Sequence, residues 1–125
     1  MKPLTTIVGT VMKGVLMGRK IGFPTINVVF DRTDLPFGVY SCRVYTPLGL
    51  YKGALHYGPR KVLNLTESAL EVHLLDFSGS LYGEEVKVDI FEKIRDTQDF
   101  DSMDVLKKQI RLDVESVRSM DIPLT

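Results

Sequence analysis

The sequence predicts a mainly β domain, an antiparallel barrel or sandwich with a helix closing one flank. Three observations predict it. Most of the chain alternates apolar and polar residues with a period of two. Turn residues separate these runs at short intervals. Near residue 101 the period changes to that of a helix. Residues 5–12 are short and β-branched, which suits a strand. Residues 25–30 form a weaker candidate after Pro24. In residues 38–46, Tyr40, Cys42 and Val44 share a face. Thr46-Pro47-Leu48-Gly49 reads as a tight turn, so residues 51–57 should return as the second arm of a hairpin. Residues 70–77 give the next strand, broken by Phe77-Ser78-Gly79-Ser80 and Tyr82-Gly83. In residues 85–94, Val86, Val88 and Ile90 point one way while Glu85, Lys87 and Asp89 point to solvent. Met103, Leu106, Ile110, Val114 and Val117 then mark one stripe of a helix, with Asp101 or Ser102 as its N-cap.

The chain has 125 residues, a length that suits one domain with no internal boundary. Lys plus Arg and Asp plus Glu are both 16, giving a formal net charge of zero. That balance removes the usual electrostatic case for nucleic acid or an anionic membrane as partner. No apolar run approaches the ~20 residues of a membrane span, and no secretory leader is visible at the start. With Cys42 the single cysteine, no internal disulfide can form. The expected compartment is the cytoplasm. Cys42 reads as a small buried hydrophobe rather than a reactive thiol.

Four stretches can carry chemistry. In residues 13–27, Gly14, Gly18 and Gly22 recur every four residues among Lys13, Arg19 and Lys20. Such a loop can bring backbone N–H groups and cations to a phosphate, although it is not a Walker A sequence. A solvated glycine-rich connection has the same pattern. Thr25 and Asn27 lie two apart in an extended segment and offer neutral oxygens, which suit Mg²⁺ shared with phosphate. A turn after proline uses the same residues. Glu71 and His73 share a strand face, and a carboxylate held there can act as a general base. A solvent-facing strand edge is the plainer reading. Arg95 can meet an acidic ligand, or Asp96 or Asp99. Phe100 can stack on a planar ring or staple the helix start.

In order and spacing these stretches resemble the riboflavin kinase (flavokinase) family, from about Ile7 to Arg118. The resemblance runs through Gly9-Thr10-Val11, Gly14, Gly18-Arg19-Lys20-Ile21-Gly22-Phe23-Pro24-Thr25-Ile26-Asn27-Val28, Leu35-Pro36 and Gly38-Val39-Tyr40. It continues with Gly58, Leu70-Glu71-Val72-His73-Leu74-Leu75-Asp76-Phe77, Leu81-Tyr82-Gly83, Lys93-Ile94-Arg95, Phe100-Asp101-Ser102, Leu106, Gln109-Ile110 and Asp113. The Gly-Phe-Pro-Thr-x-Asn element followed by Glu-Val-His is its most specific part.

The resemblance implies a six-stranded antiparallel Greek-key barrel with a C-terminal helix. It also implies an ATP-dependent enzyme that makes FMN by transferring the γ-phosphoryl group of MgATP to the 5′-hydroxyl of riboflavin. Mg²⁺ is the implied cofactor, and riboflavin/FMN and ATP/ADP are the implied partners. By the same resemblance, Gly14, Gly18 and Arg19 lie over the ATP phosphates. Thr25 and Asn27 hold the metal and phosphate oxygens. Leu74, Asp76 and Tyr82 meet the nucleotide, Glu71 is the base, and Arg95, Gln98 and Phe100 meet the flavin. Three departures stand out: Ile26 replaces the usual Ala, around Gly58 the chain reads Gly58-Pro59-Arg60-Lys61-Val62-Leu63 where an Arg-Pro-Thr run is common, and Gln98 stands where Lys is common. The expected product is FMN, because the residues that match are those of the kinase portion and an adenylyltransferase portion is not among them. A monomer is expected. The competing readings are a non-catalytic barrel that binds flavin or nucleotide, and an RNA-binding barrel, which the zero net charge disfavours.

Overall fold

The computed structural model describes residues 2–12, 22–30, 33–60 and 65–124. The strands are β1 (Thr5–Met12), β2 (Ile26–Val29), β3 (Gly38–Thr46), β4 (Gly49–Arg60), β5 (Leu65–Leu74) and β6 (Glu85–Arg95). One helix, α1 (Met103–Ser119), follows. All pairings are antiparallel, and the strands close in the order β1-β2-β5-β4-β3-β6. Of the two layered forms open to the sequence pattern, the chain adopts the barrel. β5 skips back over the β3–β4 hairpin to pair with β2, the Greek-key arrangement that the resemblance implies. Closure leaves no full-length sheet edge, which answers the liability of short exposed strands.

Alternation fills the interior. Ile7, Val11, Val28, Tyr40, Cys42, Val44, Leu55, Leu70, Val72, Leu74, Val86, Val88 and Ile90 form one buried cluster. The hairpin turn is as expected. Thr46 pairs with Gly49, and the Thr46 hydroxyl accepts from Leu48 N–H at 3.0 Å and donates to Gly49 O at 2.8 Å. Two strands are longer than the pattern showed. β4 continues to Arg60, and β5 begins at Leu65 and stops at Leu74, where Leu75 and Asp76 turn. Asp76 makes that turn in the left-handed region, with φ 58°.

The helix packs on the outside of β4 and β3. Ser102 is its N-cap and accepts from Val105 N–H at 3.2 Å. Val114 and Val117 meet Ala54 and Leu75 in a second apolar cluster, with Phe23, Ile94 and Ile110 at its margin. Beyond the helix, Ile122 is buried, Lys52 Nζ donates to Met120 O at 2.5 Å, and Arg43 donates to Pro123 O at 2.7 Å.

One side chain departs from the expected pattern. Asp89 was expected at the surface and is only 4% exposed. Its carboxylate takes hydrogen bonds from Arg43 at 2.9 Å and Thr6 at 2.8 Å, and the Arg43 guanidinium lies over the rings of Tyr45 and Phe91. The outer face of the barrel is therefore covered here by a paired charge, which period-two alternation cannot reveal. Among the described residues, no helix is long and apolar enough to cross a membrane.

Candidate functional site

Strand register sets Asn27, implied for the metal, opposite Glu71, implied as the base. β2 and β5 pair with Ile26 opposite Val72 and Asn27 opposite Glu71. Directly opposed residues share a face and bring their Cβ atoms to about 4.5–5.5 Å. Val28, Leu70, Val72 and Leu74 point into the core, so Asn27 and Glu71 lie on the outer face. Thr25 sits two residues before Asn27 on the approach to β2 and is partly buried. An amide and a carboxylate from strands far apart in the chain thus stand at opposed positions, with Thr25 two residues before Asn27.

The row continues around the barrel. Glu71 pairs with His56, His56 with Val39, and Val39 with Arg95. From Glu71 to Arg95 this crosses three strand spacings, an arc of about 14 Å. Glu71 is 8% exposed and His56 5%, so both are polar groups held in a largely covered strip beside the helix. His73, on the same face of β5, has Nδ1 2.8 Å from Pro24 O and an edge-to-face contact with Phe23 at 5.4 Å between ring centroids. These contacts tie the Phe23-Pro24 approach to β5, next to Thr25. His73 is therefore a fastener rather than a free strand edge.

The residues implied for the nucleotide divide. Leu74 turns its side chain into the barrel core and is 5% exposed. Asp76 stands at the turn beyond β5 and pairs with Arg118 of α1 at 3.0 Å. Tyr82 is 57% exposed at the approach to β6, near the end of β1, where Gly83 N–H donates to Val11 O at 2.8 Å. The turn after β5, the start of β2, the end of β1 and the start of β6 thus lie at one end of the barrel. Gly14, Gly18 and Arg19 lie outside the described residues.

At the far end of the row, Arg95 binds Asp113 of α1 in a two-point pair, Nε to Oδ1 at 2.9 Å and Nη2 to Oδ2 at 2.8 Å. Phe100 lies 5.7 Å from the guanidinium carbon. Gln98 is exposed nearby. Gly58 is pinched between Thr97 and Phe37, where an added Cβ would approach their carbons to 3.2 and 3.3 Å. Its φ of 139° also belongs to glycine. Glycine at 58 therefore suits this close approach, while Lys61, Val62 and Leu63 of the altered stretch lie outside the described residues.

Sequence reasoning did not give roles to His56, Gln109 and Asp113. His56 joins the row only through β4–β5 register, which one sequence does not reveal. Asp113 carried a signal, being a carboxylate beside the apolar helix stripe and four residues after Gln109. Among the described residues, no three His, Cys, Asp or Glu side chains cluster as a metal cage. Thr25 and Asn27 offer neutral oxygens, the kind of ligand that a hard cation takes.

A family model described as flavokinase, riboflavin kinase, matches residues 2–120. The chain is 42% identical over 115 residues to the bifunctional riboflavin kinase/FMN adenylyltransferase of Haemophilus influenzae, covering 90% of this chain and 37% of that protein. It is 38% identical over 115 residues to the RNA-binding riboflavin kinase RibR of Bacillus subtilis, covering 91% of this chain and 50% of that one. A crystal structure of a Streptococcus pneumoniae protein described as a macrolide-efflux protein superposes with a TM-score of 0.82 at 37% identity, over 95% of this chain and 40% of the other. The chain thus spans half or less of the length of these relatives. With the matched region covering nearly every residue of the barrel and helix, the chain belongs to the flavokinase, or riboflavin kinase, family.

Proposed function

We propose that this chain is an ATP-dependent riboflavin kinase, forming FMN and ADP from riboflavin and MgATP, and that its 125 residues act as one kinase domain. The observation that carries this is the Asn27–Glu71 register on the outer face of β2 and β5. The family membership supports it.

In this reading the Glu71 carboxylate accepts the proton of the ribityl 5′-hydroxyl. The hydroxyl oxygen forms the new bond to the γ-phosphorus, the bond from that phosphorus to the β–γ bridging oxygen breaks, and ADP departs. Thr25 Oγ1 and the Asn27 side-chain carbonyl would hold Mg²⁺ with the phosphates. Such an ion neutralises charge on the transferring group. The chain's own task is alignment. Asn27 and Glu71 sit on paired strands, so hydroxyl and phosphate are presented on one rigid surface. By the family resemblance Gly14, Gly18 and Arg19 would meet the phosphates, and Leu74 (through its backbone), Asp76 and Tyr82 would border the nucleotide. By the same resemblance the flavin meets Arg95, Gln98 and Phe100. The product of these residues is FMN. The setting we assign is a cytoplasmic monomer without a nucleic-acid or membrane partner, in keeping with the zero net charge.

The test is incubation with riboflavin, ATP and Mg²⁺ followed by chromatography of the flavins. FMN that requires both ATP and the metal is the expected result. Binding of riboflavin or nucleotide with no FMN formed would contradict the proposal and leave a non-catalytic barrel.

A further inference from the structure

Arg95 occupies the end of the row, yet its guanidinium is committed within the chain. Nε and Nη2 grip both oxygens of Asp113, and Nη1 donates to Asp96 O at 3.0 Å. Asp113 takes a third hydrogen bond from Gln109 Nε2 at 3.1 Å. Its side chain is 5% exposed and that of Arg95 14%. The guanidinium carbon lies over the partly exposed ring of Phe100, 5.7 Å from its centroid. Such a two-point pair fixes orientation as well as position.

Stability alone is a poor reason for this arrangement. A buried ion pair often contributes no more than well-packed apolar residues would, and Asp113 stands next to the apolar stripe of α1, between Ile110 and Val114. Its distinctive effect is to hold Arg95, whose guanidinium carbon lies over Phe100, at the end of the row that begins at Asn27 and Glu71. We propose that Asp113 is a positioning residue for the flavin: through Arg95 it sets the Phe100 ring so that its outer face receives the planar ring system of riboflavin. Arg95 then serves as backing for that platform and not as a direct ion-pair partner of the substrate. This inference rests on the riboflavin kinase reading.

The experiment measures riboflavin binding by quenching of flavin fluorescence, alongside KM for riboflavin and for ATP and thermal unfolding. Asp113→Asn is expected to raise the riboflavin Kd roughly tenfold, which corresponds to about 1.4 kcal/mol. The riboflavin KM should follow, with the ATP KM within about twofold. Asp113→Glu should recover part of the affinity. Phe100→Leu keeps the ion pair and should lose affinity similarly, and the double variant should be no weaker than the weaker single variant. Phe100→Leu also decides the matter if Asp113→Asn does not fold, since unchanged riboflavin binding there overturns the platform. Unchanged binding in a folded Asp113→Asn variant, or equal rises in both KM values together with a lowered Tm, overturns the positioning role alone. No riboflavin binding by the unaltered chain overturns the kinase reading itself.

Discussion

Asp89→Asn tests how the outer face of the barrel is held. The carboxylate lies 2.9 Å from Arg43, with side-chain exposures of 6% for Asp89 and 14% for Arg43. Arg43 also holds Pro123 O, so the pair links β3 and β6 to the segment after the helix. Breaking a buried pair costs about 3–5 kcal/mol. The Asn amide oxygen can still accept one hydrogen bond, so about 2–3 kcal/mol is expected, with Tm lower by on the order of 10 °C. The pH dependence has a defined sign. Burial pushes the Asp89 carboxyl up, but hydrogen bonds from Arg43, Thr6 and Tyr45 outweigh it and hold the carboxyl below its usual range. The unfolded chain therefore binds the proton more readily. The stabilisation is complete above the unfolded value of about 3.9 and is lost as pH falls through the lower folded value. Urea unfolding followed by circular dichroism at pH 7, 5, 4 and 3 should show a constant deficit in the variant at pH 7 and 5, narrowing below pH 4. A deficit under about 0.5 kcal/mol at pH 7, within the range of an ordinary surface substitution, or one that widens with acid would refute this account.

Other consequences are local. Ser102→Ala removes the acceptor for Val105 N–H and should lower stability by about 1 kcal/mol in the same unfolding assay. At Asp76 the left-handed backbone dominates, because the exposed ion pair with Arg118 contributes about 0–1 kcal/mol. Asp76→Ala should therefore unfold at a lower temperature than Asp76→Gly, by about 1 kcal/mol of stability. Cys42 is 0% exposed, and burial, with Asp89 adding to it, pushes its thiol up. A thiol reagent near neutral pH should leave it unmodified in the folded protein and label one equivalent in urea.

Local patterns carried most of the fold into the sequence. Tyr40, Cys42 and Val44 announced an inward strand face, Thr46 to Gly49 a turn, and Leu106 to Val117 a helix stripe, because each depends on neighbours within a few residues. Barrel closure and the order β2-β5-β4 depend on long-range pairing that no short window contains. The site divides in the same way. Residue types and spacing drew attention to Thr25, Asn27 and Glu71, while the Asn27–Glu71 opposition belongs to register. Asp89 and Asp113 were obscured because a charged residue in an alternating or helical pattern reads as solvated until its Arg partner, 46 residues before Asp89 or 18 residues before Asp113, is placed against it.

In the proposed kinase reaction Asn27 and Glu71 act as one unit in phosphoryl transfer. A double-mutant cycle on kcat for FMN formation, using Asn27→Ala, Glu71→Gln and the pair, tests it directly. Glu71→Gln should slow turnover by about a hundred- to ten-thousand-fold with the fold intact by circular dichroism. The double variant should then be about as slow as the slower single variant, since residues acting together are strongly non-additive. Losses that multiply independently, or a Glu71→Gln enzyme that turns over like the unaltered one, would contradict the account.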